Sequence, residues 1–353
     1  MEKLNKLRKA LEKNKLDAIL ITSPINRRYV TGFTGTAGIA LVSLDDARLI
    51  TDFRYTEQAN EQAKEFKVIE HKQLIEGEIT DQLNHMQIKR LGFEQDYVTF
   101  TQYENYKNNF HAELIPVSGL VEELRLIKTN EELNTMKKAA KIVDDAFVHI
   151  QKFIKPGVKE IDISNELEFY MRKQGATSSS FDTIVASGFR SALPHGVASN
   201  KEIQSGELVT LDYGALYEGY CSDITRTVAV GKISSELREI YDIVLEANLR
   251  GVNGIKPGIT GKEADALTRD FITEKGYGEN FGHSTGHGLG LEVHEGPGLS
   301  YRSDKVLEKG MVVTVEPGIY VPGVGGCRIE DDIVLTESGN ERLTFAPKEL
   351  IQL

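Results

Sequence analysis

The chain has 353 residues, 40% hydrophobic and 27% charged, which suits two globular domains with a core each. Its formal charge of -11 argues against a nucleic-acid partner, which would call for a basic face. The N-terminus lacks an apolar leader, no run approaches a membrane span, and Cys221 and Cys327 lack metal-type spacing, so a reduced cytoplasmic protein is expected.

In chain order, LNKLRKALEKN is amphipathic, DAILIT and GIALVSL predict strands, and YTEQANEQAKE predicts a helix. FKVIEH then predicts a strand, ITDQLNHMQ a helix, RLGFEQ a strand and AELIPVS a last strand. Such alternation predicts a small α/β domain over residues 1–122. Near Pro116–Ser118 the pattern changes to a long charged amphipathic helix, VEELRLIKTNEELNTMKKAAKIVDDAFVHIQKFI. Within it Thr129 and Glu132 are spaced as a capping box that restarts the helix. The second domain is expected over 123–353.

That second domain contains an internal echo. FIKPGVKEIDISNELEFYMRKQGA, from Phe153, aligns without gaps to GIKPGITGKEADALTRDFITEKGYG, from Gly254, at an offset of 101 residues. In each copy a Lys-Pro-Gly turn precedes a helix that stops at a glycine, Gly175 or Gly276. A duplication is expected, and two packed halves leave a seam where a site can form.

Between the two copies, LVTLDYGALYEGYCSDITRTVAV predicts a β-hairpin with its turn at Gly214–Gly219. A turn midway would set Asp212 and Asp223 opposite each other on one face, where two carboxylates repel. Four of the eight histidines lie within two residues of a glycine in loop-like sequence: His195, His283, His287 and His294. The other four, His71, His85, His111 and His149, sit in ordinary helical or strand contexts and are assigned to structure. Glu316 ends the apolar run MVVTVEPGIY, and Glu330 precedes another in GGCRIEDDIVLT. Asp212, Asp223, His287, Glu316 and Glu330 thus share one oddity, a potential ligand beside an otherwise apolar strand or glycine loop. Two divalent cations would balance the four carboxylates. An oxygen-rich shell with one imidazole suits Mn²⁺, Co²⁺, Zn²⁺ or Fe²⁺, and paired ions of this kind activate water and clamp a hydrolytic transition state.

LDYGALYEGYCSDITRT, GHGLGLEVHEGPG, VVTVEPGIY and GGCRIEDDIVLT resemble the metal-site motifs of the creatinase/aminopeptidase P/prolidase family. INRRYVTGFTGTAG and LITDFRYTEQA resemble its N-terminal domain. The resemblance implies an α/β (α+β) protein: a small RNase H-like, creatinase-type N-terminal domain, then a pseudo-two-fold pita-bread catalytic domain. It implies Asp212, Asp223, His287, Glu316 and Glu330 as metal ligands, with Asp223 and Glu330 shared between two ions, most often Mn²⁺. It further implies His195 and His294 as catalytic histidines, and His283 and Arg328 as substrate-binding positions. Arg328 would orient acidic groups or hold a substrate carboxylate bidentately.

The implied reaction is metal-assisted amide hydrolysis with Glu316 as proton shuttle. Short proline-containing peptides are the implied substrates, cut between the first residue and the proline. Several prolidases carry an arginine four residues after the second catalytic histidine, where this chain has Gly298. That difference favours an Xaa-Pro aminopeptidase over the alternative, an Xaa-Pro dipeptidase. A non-catalytic pita-bread binding module is the remote alternative, and analogy with the family implies a homodimer.

Overall fold

A computed structural model describes residues 2–353, and its contacts divide the chain into two units, the first ending at Arg125 and the second starting at Leu126. The short helix Glu122–Arg125 therefore belongs to the first unit, and the long helix begins only at Asn130. The restart is the expected capping box: Thr129 Oγ1 accepts from the Glu132 N–H, and Glu132 accepts from the Thr129 N–H.

The first unit is built on a six-stranded mixed sheet in the order Lys67–Glu70, Ala47–Thr51, Ile39–Ser43, Ala18–Ile21, Arg90–Glu94, Glu113–Val117. Ile39–Ser43 runs antiparallel to both neighbours, whereas Ala18–Ile21 and Arg90–Glu94 pair in parallel. Helix Glu2–Lys13 turns Leu4, Leu7 and Leu11 into the core, the i, i+3, i+4 stripe its periodicity predicts. Three elements were not predicted: helix Pro24–Thr31, strand Ala47–Thr51 and helix Phe100–Asn109. Two of these helices carry local signals, a Ser23 cap with Pro24 at N1, and a Thr99–Gln102 capping box.

The second unit repeats itself. Helix Gly261–Glu274 begins and ends 101 residues after Glu160–Lys173 (261 less 160, 274 less 173). Both end at a glycine with φ near +100°, +106° at Gly175 and +89° at Gly276, where a β-carbon would be strained. A three-stranded antiparallel sheet, Ile224–Val230, Glu207–Tyr213 and Ile184–Ser187, corresponds to the inner strands Asp331–Leu335, Val312–Val315 and Gly286–Gly288 of a five-stranded one. In each half a small hairpin interrupts the main pair: Ala215–Tyr217 with Tyr220–Cys221, and Gly318–Val321 with Gly325–Arg328. The first of these pairs also with Ser178–Ser179.

One expectation needs correcting. Asp212 pairs with Thr225, not Asp223, because the turn lies at Glu218–Gly219 rather than midway between the aspartates. Glu218 and Gly219 both have positive φ, the two-residue turn that suits the strand twist. The two aspartates still share a face, as diagonal neighbours with α-carbons about 7–8 Å apart in such pairs. Gly214 marks the break between ladders, since a β-carbon there would collide with Ser180 Oγ and Ser222 O. Among the described residues, no helix is long and apolar enough to cross a membrane.

Candidate active site

Asp212 lies near the end of strand Glu207–Tyr213, and Glu316 directly follows Val312–Val315. Asp223 and Glu330 directly precede the partner strands Ile224–Val230 and Asp331–Leu335. The four carboxylates therefore occupy corresponding hairpin ends in the two halves of the unit. His287, central in Gly286–Gly288, joins them. All nine residues singled out from the sequence line one cavity of about 520 Å³: these five, with His195, His283, His294 and Arg328.

Asp223, His287 and Glu330 bring ligand atoms within 4.8 Å of one another. His287 Nε2 lies 3.4 Å from Glu316 Oε1 and 3.8 Å from Asp223 Oδ2. These are not ion pairs, because burial holds the imidazole below its ordinary pKa. Its Nδ1 donates to Gly288 O at 3.0 Å, which leaves the Nε2 lone pair for a ligand.

Crowded acids protonate when nothing cationic separates them. Burial, then the neighbouring carboxylates, push Asp223 and Glu330 well above the usual range. Burial is also the first cause at Glu316, which rises to about 8 despite the opposing pull of Arg328. Asp212 Oδ1 and Asp223 Oδ1 are buried and accept no hydrogen bond, an expensive arrangement for a carboxylate oxygen. Four carboxylates, an imidazole with a free lone pair and two orphaned oxygens fit hard or borderline dications.

Two threonines that the sequence reading missed steady this set. Thr314 Oγ1 donates to Glu316 Oε1 at 3.3 Å and accepts from the His287 N–H at 3.1 Å. Thr225 Oγ1 donates to Glu330 Oε2 at 2.7 Å and accepts from Arg328 Nε at 3.1 Å. Strand alternation could have found Thr314, two residues before Glu316 on the same face.

Arg328 is heavily committed. Its Nη1 donates to Tyr320 OH at 2.6 Å and Pro194 O at 3.2 Å, and its Nη2 to Asp212 Oδ2 at 2.5 Å. With Nε bound to Thr225, a guanidinium has at most one N–H left, so it orients acidic groups rather than offering a two-pronged grip. Burial alone would lower its pKa, but Tyr320, Asp212 and Glu316 outweigh that and raise it.

His283 is similarly engaged. Its Nδ1 donates to Ser284 O and its Nε2 accepts from Tyr320 OH, each at 2.8 Å. Burial first, then Arg328, lower its pKa to about 4, so the ring is neutral. His294 stacks edge-on against His287 with centroids 4.3 Å apart, and burial with that neighbour lowers its pKa too. The His195 ring makes no hydrogen bond among the described residues. Cys327 is buried with its thiol pushed up to about 12, which leaves it inert at neutral pH.

Comparison with known proteins agrees with this layout. Residues 134–337 match the metallopeptidase family M24, and residues 3–127 match the creatinase/prolidase N-terminal domain. A solved structure described as Xaa-Pro dipeptidase from Bacillus anthracis is 64% identical, with a TM-score of 0.99 over 100% of this chain and 99% of that one. The Xaa-Pro dipeptidase of Pyrococcus furiosus is 43% identical over 99% of both chains. A structure described as X-Pro aminopeptidase from Thermotoga maritima is 42% identical, with a TM-score of 0.92 over 98% of this chain and 100% of that one. The chain belongs to metallopeptidase family M24, with a creatinase-type N-terminal domain. It is a hydrolase of the pita-bread fold that works with divalent metal.

Proposed function

We propose that the chain is an Xaa-Pro dipeptidase that uses two divalent ions, Mn²⁺ first among them, held by Asp212, Asp223, His287, Glu316 and Glu330. The observation that carries this reading is the convergence of those groups, with orphaned carboxylate oxygens, in one cavity. When bound, such a pair supplies Lewis acidity and an activated hydrolytic water at neutral pH.

The chain's own residues would do the rest. Glu316 accepts the proton of the attacking water and passes it to the leaving proline nitrogen, which must gain one as the amide breaks. His294, neutral in its surroundings, offers an N–H to the developing oxyanion, and His195 supports the substrate from the facing loop. The Xaa-Pro bond is a tertiary amide without an N–H, so no hydrogen bond from that nitrogen is lost. Apolar walls at Phe181, Ile184, Val197 and Val293 suit a pyrrolidine ring.

The dipeptidase reading replaces the aminopeptidase expectation drawn from Gly298. The 64%-identical structure and the Pyrococcus relative are both described as Xaa-Pro dipeptidases. Gly298 lines the cavity without a side chain, which favours the X-Pro aminopeptidase as the second reading, since it leaves room for a longer peptide. A homodimer remains the expected assembly on family analogy.

Hydrolysis of an Xaa-Pro dipeptide compared with its C-terminally extended tripeptide tests the choice. The Mn²⁺-loaded enzyme is expected to show the higher kcat/KM on the dipeptide. Faster turnover of the tripeptide would establish the aminopeptidase instead.

A further inference from the structure

Glu160 is fully buried at the start of helix Glu160–Lys173 and does not line the cavity. Its Oε1 accepts from the Ser187 N–H and from Ser187 Oγ, both at 2.8 Å. Its Oε2 accepts from Ser199 Oγ at 2.6 Å, the Ser199 N–H at 3.2 Å and Arg190 Nε at 2.9 Å. One carboxylate thus holds both ends of segment 188–198. Arg190 extends the grip, since its Nη2 donates to Val197 O at 2.6 Å across the loop.

The start of the segment packs on strand Gly325–Arg328, where the Gly326 N–H donates to Ser191 Oγ at 2.8 Å. Its far end is held more lightly, by one bridge between Ile184 and Val197 and a 3.4 Å bond from the Ala198 N–H to Thr183 O. The segment carries Pro194, His195 and Val197 into the cavity wall, and Pro194 O accepts from Arg328. Because the His195 ring has no hydrogen bond of its own, its position rests on the backbone beneath it. A buried carboxylate is costly unless its oxygens are satisfied, and here every donor it recruits lies on this loop or at its ends.

We propose that Glu160 is a positioning residue: by gripping both ends of 188–198, it sets where His195 meets the substrate. What His195 does there rests on the peptidase reading, whereas the clamp does not.

The test uses the full-length, metal-loaded protein. Glu160→Gln keeps the shape but removes the charge and one acceptor. On an Xaa-Pro dipeptide, kcat is expected to fall roughly 10- to 100-fold with KM little changed. In a His195→Ala background the same substitution is expected to cost nothing further. Hydrogen–deuterium exchange, which needs no turnover, is expected to quicken across 188–198 while strand Glu207–Tyr213 stays protected. Equal losses in both backgrounds, or unchanged exchange in the loop, would overturn the proposal. Should Glu160→Gln not fold, Ser199→Ala releases one end alone and carries both readouts with a smaller expected change. If the wild type cleaves no Xaa-Pro peptide, the peptidase reading fails while the exchange measurement still decides the clamp.

Discussion

Arg328 Nη2 donates to Asp212 Oδ2 at 2.5 Å, which makes this guanidinium the counter-charge of a carboxylate whose other oxygen has no partner. Both side chains are largely buried, at 4% and 12% exposure, so the pair is little screened by solvent. Removing one partner of a buried pair leaves an uncompensated charge at a cost of about 3–5 kcal/mol. Arg328→Ala is therefore expected to destabilise the metal-stripped protein by about that much, and the metal-loaded protein by less. Urea unfolding of both forms checks this, and equal losses in the two would contradict it.

Stability of the metal-free protein should depend on pH with a definite sign. Asp223, Glu330 and Glu316 all bind protons more tightly in the fold than in the unfolded chain. Their contribution is present at low pH and is lost as pH rises through the folded values, about 8 for Glu316. Thermal unfolding of EDTA-stripped protein from about pH 5 to about pH 9 is expected to show a falling Tm. Added Mn²⁺ should raise Tm most at the alkaline end, where the ligands are deprotonated. A Tm that climbs with pH in the stripped protein would refute the crowded-acid account.

Thr314 offers a subtler lever, because it touches both Glu316 and the backbone of His287. Thr314→Val keeps the shape and removes both hydrogen bonds. Metal affinity is expected to drop about 10- to 100-fold, as for other residues that orient ligands, whereas Thr314→Ser retains most of it. Titration of Mn²⁺ into the two variants separates these outcomes.

Gly214→Ala should be felt at the metal site without touching a ligand. The added methyl meets Ser180 Oγ and Ser222 O, the latter on backbone next to Asp223. Overpacking of this kind typically costs about 1–3 kcal/mol. The variant is expected to unfold earlier and to hold metal more weakly, measurable by urea titration and metal analysis on one sample.

The candidate ligands were legible because each breaks a local rule, an acid or imidazole set beside apolar strand or glycine. The repeated helices were legible through paired Lys-Pro-Gly turns and terminal glycines, which recur at one offset. Register was not: alternation assigns Asp212 and Asp223 to one face, but the turn at Glu218–Gly219 decides which residues oppose. The sequence leaves Arg328 two roles, orienting acids or gripping a substrate carboxylate, because its partners Tyr320, Thr225 and Pro194 come from separate segments. Nothing in the sequence singles out Glu160, since its donors lie 27 to 39 residues further on. In the first unit, strand Ala47–Thr51 is a short run just after Asp45 and Asp46, so periodicity had little to work on.

The most direct measurement is metal stoichiometry. EDTA-stripped protein titrated calorimetrically with Mn²⁺ is expected to take up about two ions per chain, with uptake impaired in Asp223→Asn and Glu330→Gln. Saturation with no bound ion, or undiminished uptake in both variants, would contradict the dinuclear site.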